Sequence, residues 1–161
     1  MSSGGVGGGG GPARALAGRV LGVDLGSVRI GLALSDPTRT VASPHSVLRR
    51  TREHGADHRA IADIAREHEV TTIVVGLPLS LSGAKGPAAR AAEAEIEELR
   101  ELVGPELDVV AHDERLTTVT AERSLDEARV RRADRAAVVD KIAAAVMLQA
   151  WLESLPRAQG R

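Results

Sequence analysis

Two carboxylates in this chain stand at positions whose neighbours predict apolar residues. Asp24 ends the run Arg19 to Leu25 (R-V-L-G-V-D-L), on the same side of the pleat as Val20 and Gly22. Asp140 interrupts the stretch Ala136 to Leu152, whose only other polar residues are Lys141 and Gln149, and shares a helical face with Ala144, Met147 and Trp151. Acids so placed cost energy unless they are paired or hold a cation. Asp24 has an ordinary alternative as the cap of the turn at Gly26-Ser27, and Asp140 as the partner of an arginine or of Lys141. A third acid is Asp113 or Glu114; on an extended backbone these point to opposite faces, so only one can join the other two, and D-E-R at a strand end is equally a solvated turn.

Acids on a first strand, a late strand end and a last helix have the pattern that gathers two hard cations, which prefer carboxylate oxygens and water. Two such ions about 3.5–4 Å apart activate water and stabilise the leaving oxygen of a phosphodiester. This chemistry needs neither histidine nor cysteine. Lysine usage points the same way: the 21 basic residues include only two lysines, Lys85 and Lys141, and both lie beside candidate motifs. A compact ammonium fits where a guanidinium fork does not. Lys85 belongs to the Gly/Pro-rich segment Gly76 to Pro87, read as a loop whose N–H groups can meet a phosphate. It is not a Walker loop, because Gly86 follows the lysine where Ser or Thr is required. Arg129, Arg131, Arg132 and Arg135 form a local basic run, suited to a nucleic-acid backbone or simply to a solvated connection between helices. His54 and His58 have i, i+4 spacing, but Gly55 between them argues against a shared helix and against metal ligation.

The elements that must position these residues follow from pattern. Arg19 to Leu25 and Arg29 to Asp36 have hairpin spacing, and Thr40 to Leu48, interrupted by Pro44, predicts a third antiparallel strand that lies at an edge or is irregular. A helix capped by Asp57 places Ile61, Ile64, Ala65 and His68 on one stripe, and Val70 to Val75 predicts a strand buried on both faces. Pro87 to Val103 predicts a helix with Ala92, Ile96, Leu99 and Val103 inward and five glutamates largely outward, stopped by Gly104-Pro105. Leu107 to Asp113 predicts a strand, Thr117 or Thr118 a cap for a helix into the 120s, and Ala136 to Leu155 the last helix. The order β-β-β-α-β-α-β-α-α is that of an α/β domain: a mixed sheet, three strands as a meander and two α-linked and parallel, with helices on both faces.

Composition bounds the function. Of 161 residues, 1–18 read as a disordered Gly/Ala-rich tail and 156–161 as a short disordered one, leaving 19–155 as one domain. Without Phe or Tyr and with Trp151 alone, no platform of stacking rings for unpaired bases can be built. A net charge of −1 means that any phosphate contact is local. The absence of cysteine excludes cysteine-type zinc sites and fits a reducing compartment; with neither a secretion signal nor a membrane span, the expectation is a cytoplasmic protein.

Four segments together resemble the YqgF/RuvX family: Gly22 to Asp36 (G-V-D-L-G-S-V-R-I-G-L-A-L-S-D), Val74 to Leu79 (V-V-G-L-P-L), Asp113 to Thr118 (D-E-R-L-T-T) and Val139 to Ala144 (V-D-K-I-A-A). The likeness runs from Arg19 to Leu152, with Leu25 where the family often has an aromatic and Val28 where a lysine is common. It implies a ribonuclease H-like fold related to the RuvC junction resolvases, and a nuclease maturing the 5′ end of pre-16S rRNA. It carries the catalytic and metal-holding roles onto Asp24, Glu114 and Asp140, with Asp113 as the contested neighbour of Glu114 and Mg2+ or Mn2+ as cofactor; Lys85, Lys141, Arg29, Arg115 and Thr117 are the expected substrate contacts. Branched DNA is the alternative substrate, and a non-catalytic scaffold in transcription or ribosome assembly the alternative function. An actin-like ATPase, which shares the D-x-G-[ST] turn, needs two lobes where this chain supplies one. The implied partner is nucleic acid and not a membrane, and the chain is expected to act as a monomer or homodimer.

Overall fold

The computed structural model of the chain describes residues 18–78, 85–113 and 132–156. Among these residues, runs rich in Val, Ile and Leu form five strands: β1 (Arg19–Leu25), β2 (Arg29–Ser35), β3 (Ala42–Arg49), β4 (Val70–Leu77) and β5 (Asp108–Asp113). They lie in the order β3-β2-β1-β4-β5. β1, β2 and β3 are the expected antiparallel meander, and β4 and β5 add in parallel on the other side of β1. Pro44 falls on the outermost strand, where its missing N–H removes no bond needed by a further strand.

Among the described residues three helices cover the sheet: α1 (His54–Glu67), α2 (Pro87–Val103), followed by a 3-10 turn at Gly104–Glu106, and α3 (Arg132–Ser154). On one face Leu21, Val23, Ile30, Leu32, Ile73 and Val75 pack against Ile61 and Ala65 of α1 and Ile96 and Leu99 of α2. On the other, Val20, Ala33 and Val74 meet Ala144, Met147 and Leu148 of α3. Each large apolar side chain so buried contributes about 1.5–3 kcal/mol. Because β1 and β4 are held on both faces, the sheet centre is the rigid frame for anything at its strand ends. Among the described residues no helix is long and apolar enough to cross a membrane.

Several boundaries differ from expectation. α1 starts at His54, ahead of Asp57: the Glu53 carbonyl accepts from the N–H groups of Ala56 and Asp57, while the Asp57 carboxylate turns back to accept from Thr51 N and Oγ1. Gly55 costs about 1 kcal/mol relative to Ala in a helix, too little to exclude it from the first turn, so His54 and His58 do share a helix. Gly76 and Leu77 belong to β4 and not to the loop that follows. α3 begins at Arg132, since arginine is a good helix former and the basic run does not break the helix there. The helix expected from Thr117 or Thr118 lies outside the described residues.

Candidate active site

Asp24 lies directly opposite Gly31 in the β1–β2 ladder. α3 crosses over that glycine so closely that a Cβ on it would sit 2.0 Å from the main-chain oxygen of Asp140. Along β1, Asp24 alternates with Val20, which packs on α3, and with Gly22, where a Cβ would lie 2.9 Å from Leu148 Cβ. The carboxylate of Asp24 therefore projects to the α3 side, beside the turn of α3 that carries Asp140. Strand alternation and helical periodicity, two unrelated sequence signals, converge on one place.

Burial, and after it the negative charge of Asp140, raise the Asp24 pKa from 3.8 to about 6. Arg29 Nε donates to Asp140 Oδ2 at 2.7 Å, so the arginine pairing foreseen as an ordinary role for Asp140 is present. With the arginine side chain 35% exposed, that pair belongs to the class worth about 0–1 kcal/mol. It orients Asp140 without preventing a cation from competing for the carboxylate.

The remaining predicted residues divide. Asp113 is excluded from the cluster by parity: Val109 packs in the α1/α2 core, and Asp113, four residues on, shares its side of β5, away from Asp24. Glu114, Arg115 and Thr117 lie outside the described residues, as do Arg129 and Arg131. Lys85 pairs with Glu93 Oε1 at 2.6 Å at the start of α2, and Lys141 is half-buried next to Asp140. Among the described residues no group of three or more acids and histidines forms a ready metal cage. Sequence reasoning passed over His112, which shares the α3 side of β5 with Val110 and pairs in register with Gly76. Burial lowers its pKa against the pull of Asp113, favouring the neutral ring. Its facing could not be read from the sequence, because Val109 and Val110 are both apolar.

The sequence matches the RuvX family, described as Holliday junction resolvase, over residues 18–154. The chain belongs to the RuvX family. Relatives from Rhodococcus jostii and Roseiflexus, each provisionally named a pre-16S rRNA nuclease, are 45% and 42% identical to it over 143 and 137 residues, covering 87% and 85% of this chain and 80% and 95% of theirs. A similarly named relative from Mycobacteroides abscessus is 44% identical, covering 87% of this chain and 84% of its own. Among solved structures, Thermus thermophilus RuvC in complex with a Holliday junction substrate superposes with a TM-score of 0.54 at 15% identity, covering 86% of this chain and 98% of that one. A second Thermus thermophilus RuvC structure gives 0.51 at 14% identity, covering 84% and 97%. The fold of this RuvX chain is thus ribonuclease H-like, as its four motifs imply.

A buried ionic network in this RuvX protein holds the turn behind Asp24. Arg50 forms a two-pronged pair with Glu95, Nη1 to Oε1 at 2.6 Å and Nη2 to Oε2 at 2.8 Å, while its Nε donates to the carbonyl of Gly26 and its main-chain N–H to that of Val28, both at 2.9 Å. His58 Nε2 lies 2.9 Å from Glu95 Oε1. One of the five glutamates expected outward on α2 is thus buried, because its charge answers an arginine committed to the β1–β2 turn. Burial acts to raise the Glu95 pKa, but the hydrogen bonds from Arg50 and His58 outweigh it and the net shift is downward. Removing one member leaves a buried charge without its partner, so Glu95→Gln is expected to cost about 3–5 kcal/mol in unfolding free energy, measurable by urea denaturation. A loss below about 1 kcal/mol would show that the pair carries no net stability.

Proposed function

We propose that this chain is a divalent-metal-dependent endonuclease that hydrolyses phosphodiesters in structured RNA, processing the 5′ end of pre-16S rRNA. The reading is carried by the convergence of Asp24 and Asp140 from β1 and α3 beside one close helix–sheet contact. The substrate follows the names of the relatives, which match the chain over most of its length.

Two hard-oxygen donors, one of them pushed up to about 6 by burial first and by the charge of the other second, suit Mg2+ or Mn2+, and Glu114 is the third acid of the proposed set. When bound, such ions supply Lewis-acid stabilisation of phosphoryl charge and activation of water. The chain's own residues do the positioning. Arg29 fixes the orientation of Asp140, the Arg50 network holds the turn after Asp24, and Lys85, Lys141, Arg115 and Thr117 are assigned to the substrate backbone.

The deciding experiment presents a labelled pre-16S 5′ leader and a four-way DNA junction to the protein with Mg2+, Mn2+ or chelator, alongside Asp24→Asn. Leader cleavage that needs metal and is lost in the variant supports the proposal. Junction cleavage alone transfers the activity to branched DNA, and no product with either substrate leaves a binding scaffold. Lys85→Ala is a narrower test. Its exposed pair with Glu93 contributes little to folding, whereas a charge-assisted phosphate contact is worth about 1.5–3 kcal/mol. Cleavage should fall about ten- to a hundredfold with an unchanged melting temperature. An unchanged rate at saturating metal removes Lys85 from the site.

A further inference from the structure

At the edge of the sheet farthest from β5, two histidines from different elements face each other. His45 lies on β3 and His68 caps the C-terminus of α1, and their Nε2 atoms are 3.1 Å apart. The β2–β3 register explains how they meet: it passes from Leu32–Ser46 to Ala33–Pro44 and skips His45. His45 is thus the extra residue of a β-bulge, a device that re-aims a side chain. Here it turns the imidazole out of the ladder toward the end of α1.

We propose that His45 and His68 form a binding site for a borderline divalent transition-metal ion such as Zn2+, bridging the edge strand β3 to the end of α1. With Zn–N bonds of about 2.0–2.1 Å, nitrogens 3.1 Å apart subtend an angle of about 100° at a shared ion, near the tetrahedral value. The ring centroids are 4.8 Å apart with the planes at 81°, closer than an in-line N–H···N bond between imidazoles would hold them. The ring axes are therefore bent, as they are when two rings address a common third atom. The supporting contact that metal-binding imidazoles usually have is also present: His45 Nδ1 lies 2.8 Å from Ser46 Oγ, and donation to that oxygen places the ring's lone pair on Nε2. Burial and the neighbouring His68 lower the His45 pKa against the opposing charge of Glu67, so the neutral, ligating form is favoured near pH 7, and Glu67 adds a negative charge beside the pair. Water completes the coordination. The nitrogen donors separate this site from the oxygen donors of the acid cluster, which favour harder ions.

Zn2+ titrated calorimetrically into the full chain at pH 7.5 with excess Mg2+ should show one saturable site of micromolar affinity. His45→Ala and His68→Ala should each weaken it at least tenfold, and Asp24→Asn should retain it. In histidine-selective NMR, Zn2+ should shift the Nε2 resonances of residues 45 and 68 and leave those of 54 and 58 in place. Absence of saturable uptake, uptake unchanged in both histidine variants, or uptake lost only in Asp24→Asn would overturn the proposal.

Discussion

Asp24→Asn is expected to abolish cleavage and, in the same protein without metal, to raise stability above pH 6. The folded-state pKa of Asp24 is raised from 3.8 to about 6, by burial first and by Asp140 second. Between those values the native state holds a proton that the unfolded chain has released, so stability falls as pH rises through the window and levels off above it. Below pH 3.8 both states are protonated and nothing is lost. At 1.36 kcal/mol per unit the wild type carries a penalty of about 2–3 kcal/mol at pH 8, which a neutral Asn of the same shape avoids. In chelator at pH 8 the variant should therefore melt roughly 5–10 °C higher, and near pH 3.5 the difference should vanish. Saturating Mg2+ should stabilise the wild type and leave the variant unmoved. Cleavage should fall at least a hundredfold, about 2.7 kcal/mol of barrier. A variant no more stable than wild type at pH 8 would mean that Asp24 is not the buried, repelled carboxylate described here.

These two acids stood out in the sequence because each occupies a place that its element otherwise gives to apolar residues. Asp24 broke a two-residue alternation and Asp140 an apolar helical stripe, and each anomaly is local to one element. Glu95 was not legible, because its helix carries four other glutamates and its partner Arg50 stands 45 residues away beside Arg49 and Arg52. Only the packing of α2 against the β3–α1 connection separates it from its solvated neighbours. Choosing between Asp113 and Glu114 needed the facing of β5, and with Val109 and Val110 both apolar the sequence allows either parity. Packing of Val109 against α1 and α2 puts Asp113 on that side of β5. The bulge at His45 was equally hidden, since a skipped residue is a property of two paired strands and of neither alone. The four motifs predicted the ribonuclease H-like fold, while the early start of α1 depended on a carbonyl and a threonine that capping rules based on Asp57 did not anticipate.

Gly31→Ala should separate the two acids without touching either. A Cβ at this position would meet the carbonyl oxygen of Asp140 at 2.0 Å and its carbonyl carbon at 2.6 Å. Both are main-chain atoms of a helix, so no rotamer change relieves the contact, and α3 must lift from β2. Lifting it loosens Ala144, Met147 and Leu148 from Val20, Ala33 and Val74, and withdraws Asp140 from Asp24. The cost should reach or exceed the upper end of overpacking, about 3 kcal/mol, and cleavage should be lost together with stabilisation by Mg2+. Gly55→Ala is the matched control. There the nearest atom to a new Cβ is the flexible Arg59 Nη1 at 3.5 Å, and replacing glycine within a helix should stabilise by about 0.5–1 kcal/mol. One substitution type thus carries opposite signs at two sites, readable by thermal and urea unfolding. If Gly31→Ala keeps wild-type stability and cleavage, α3 does not rest on β2 beside Asp24, and the two carboxylates lose the contact that brings them together.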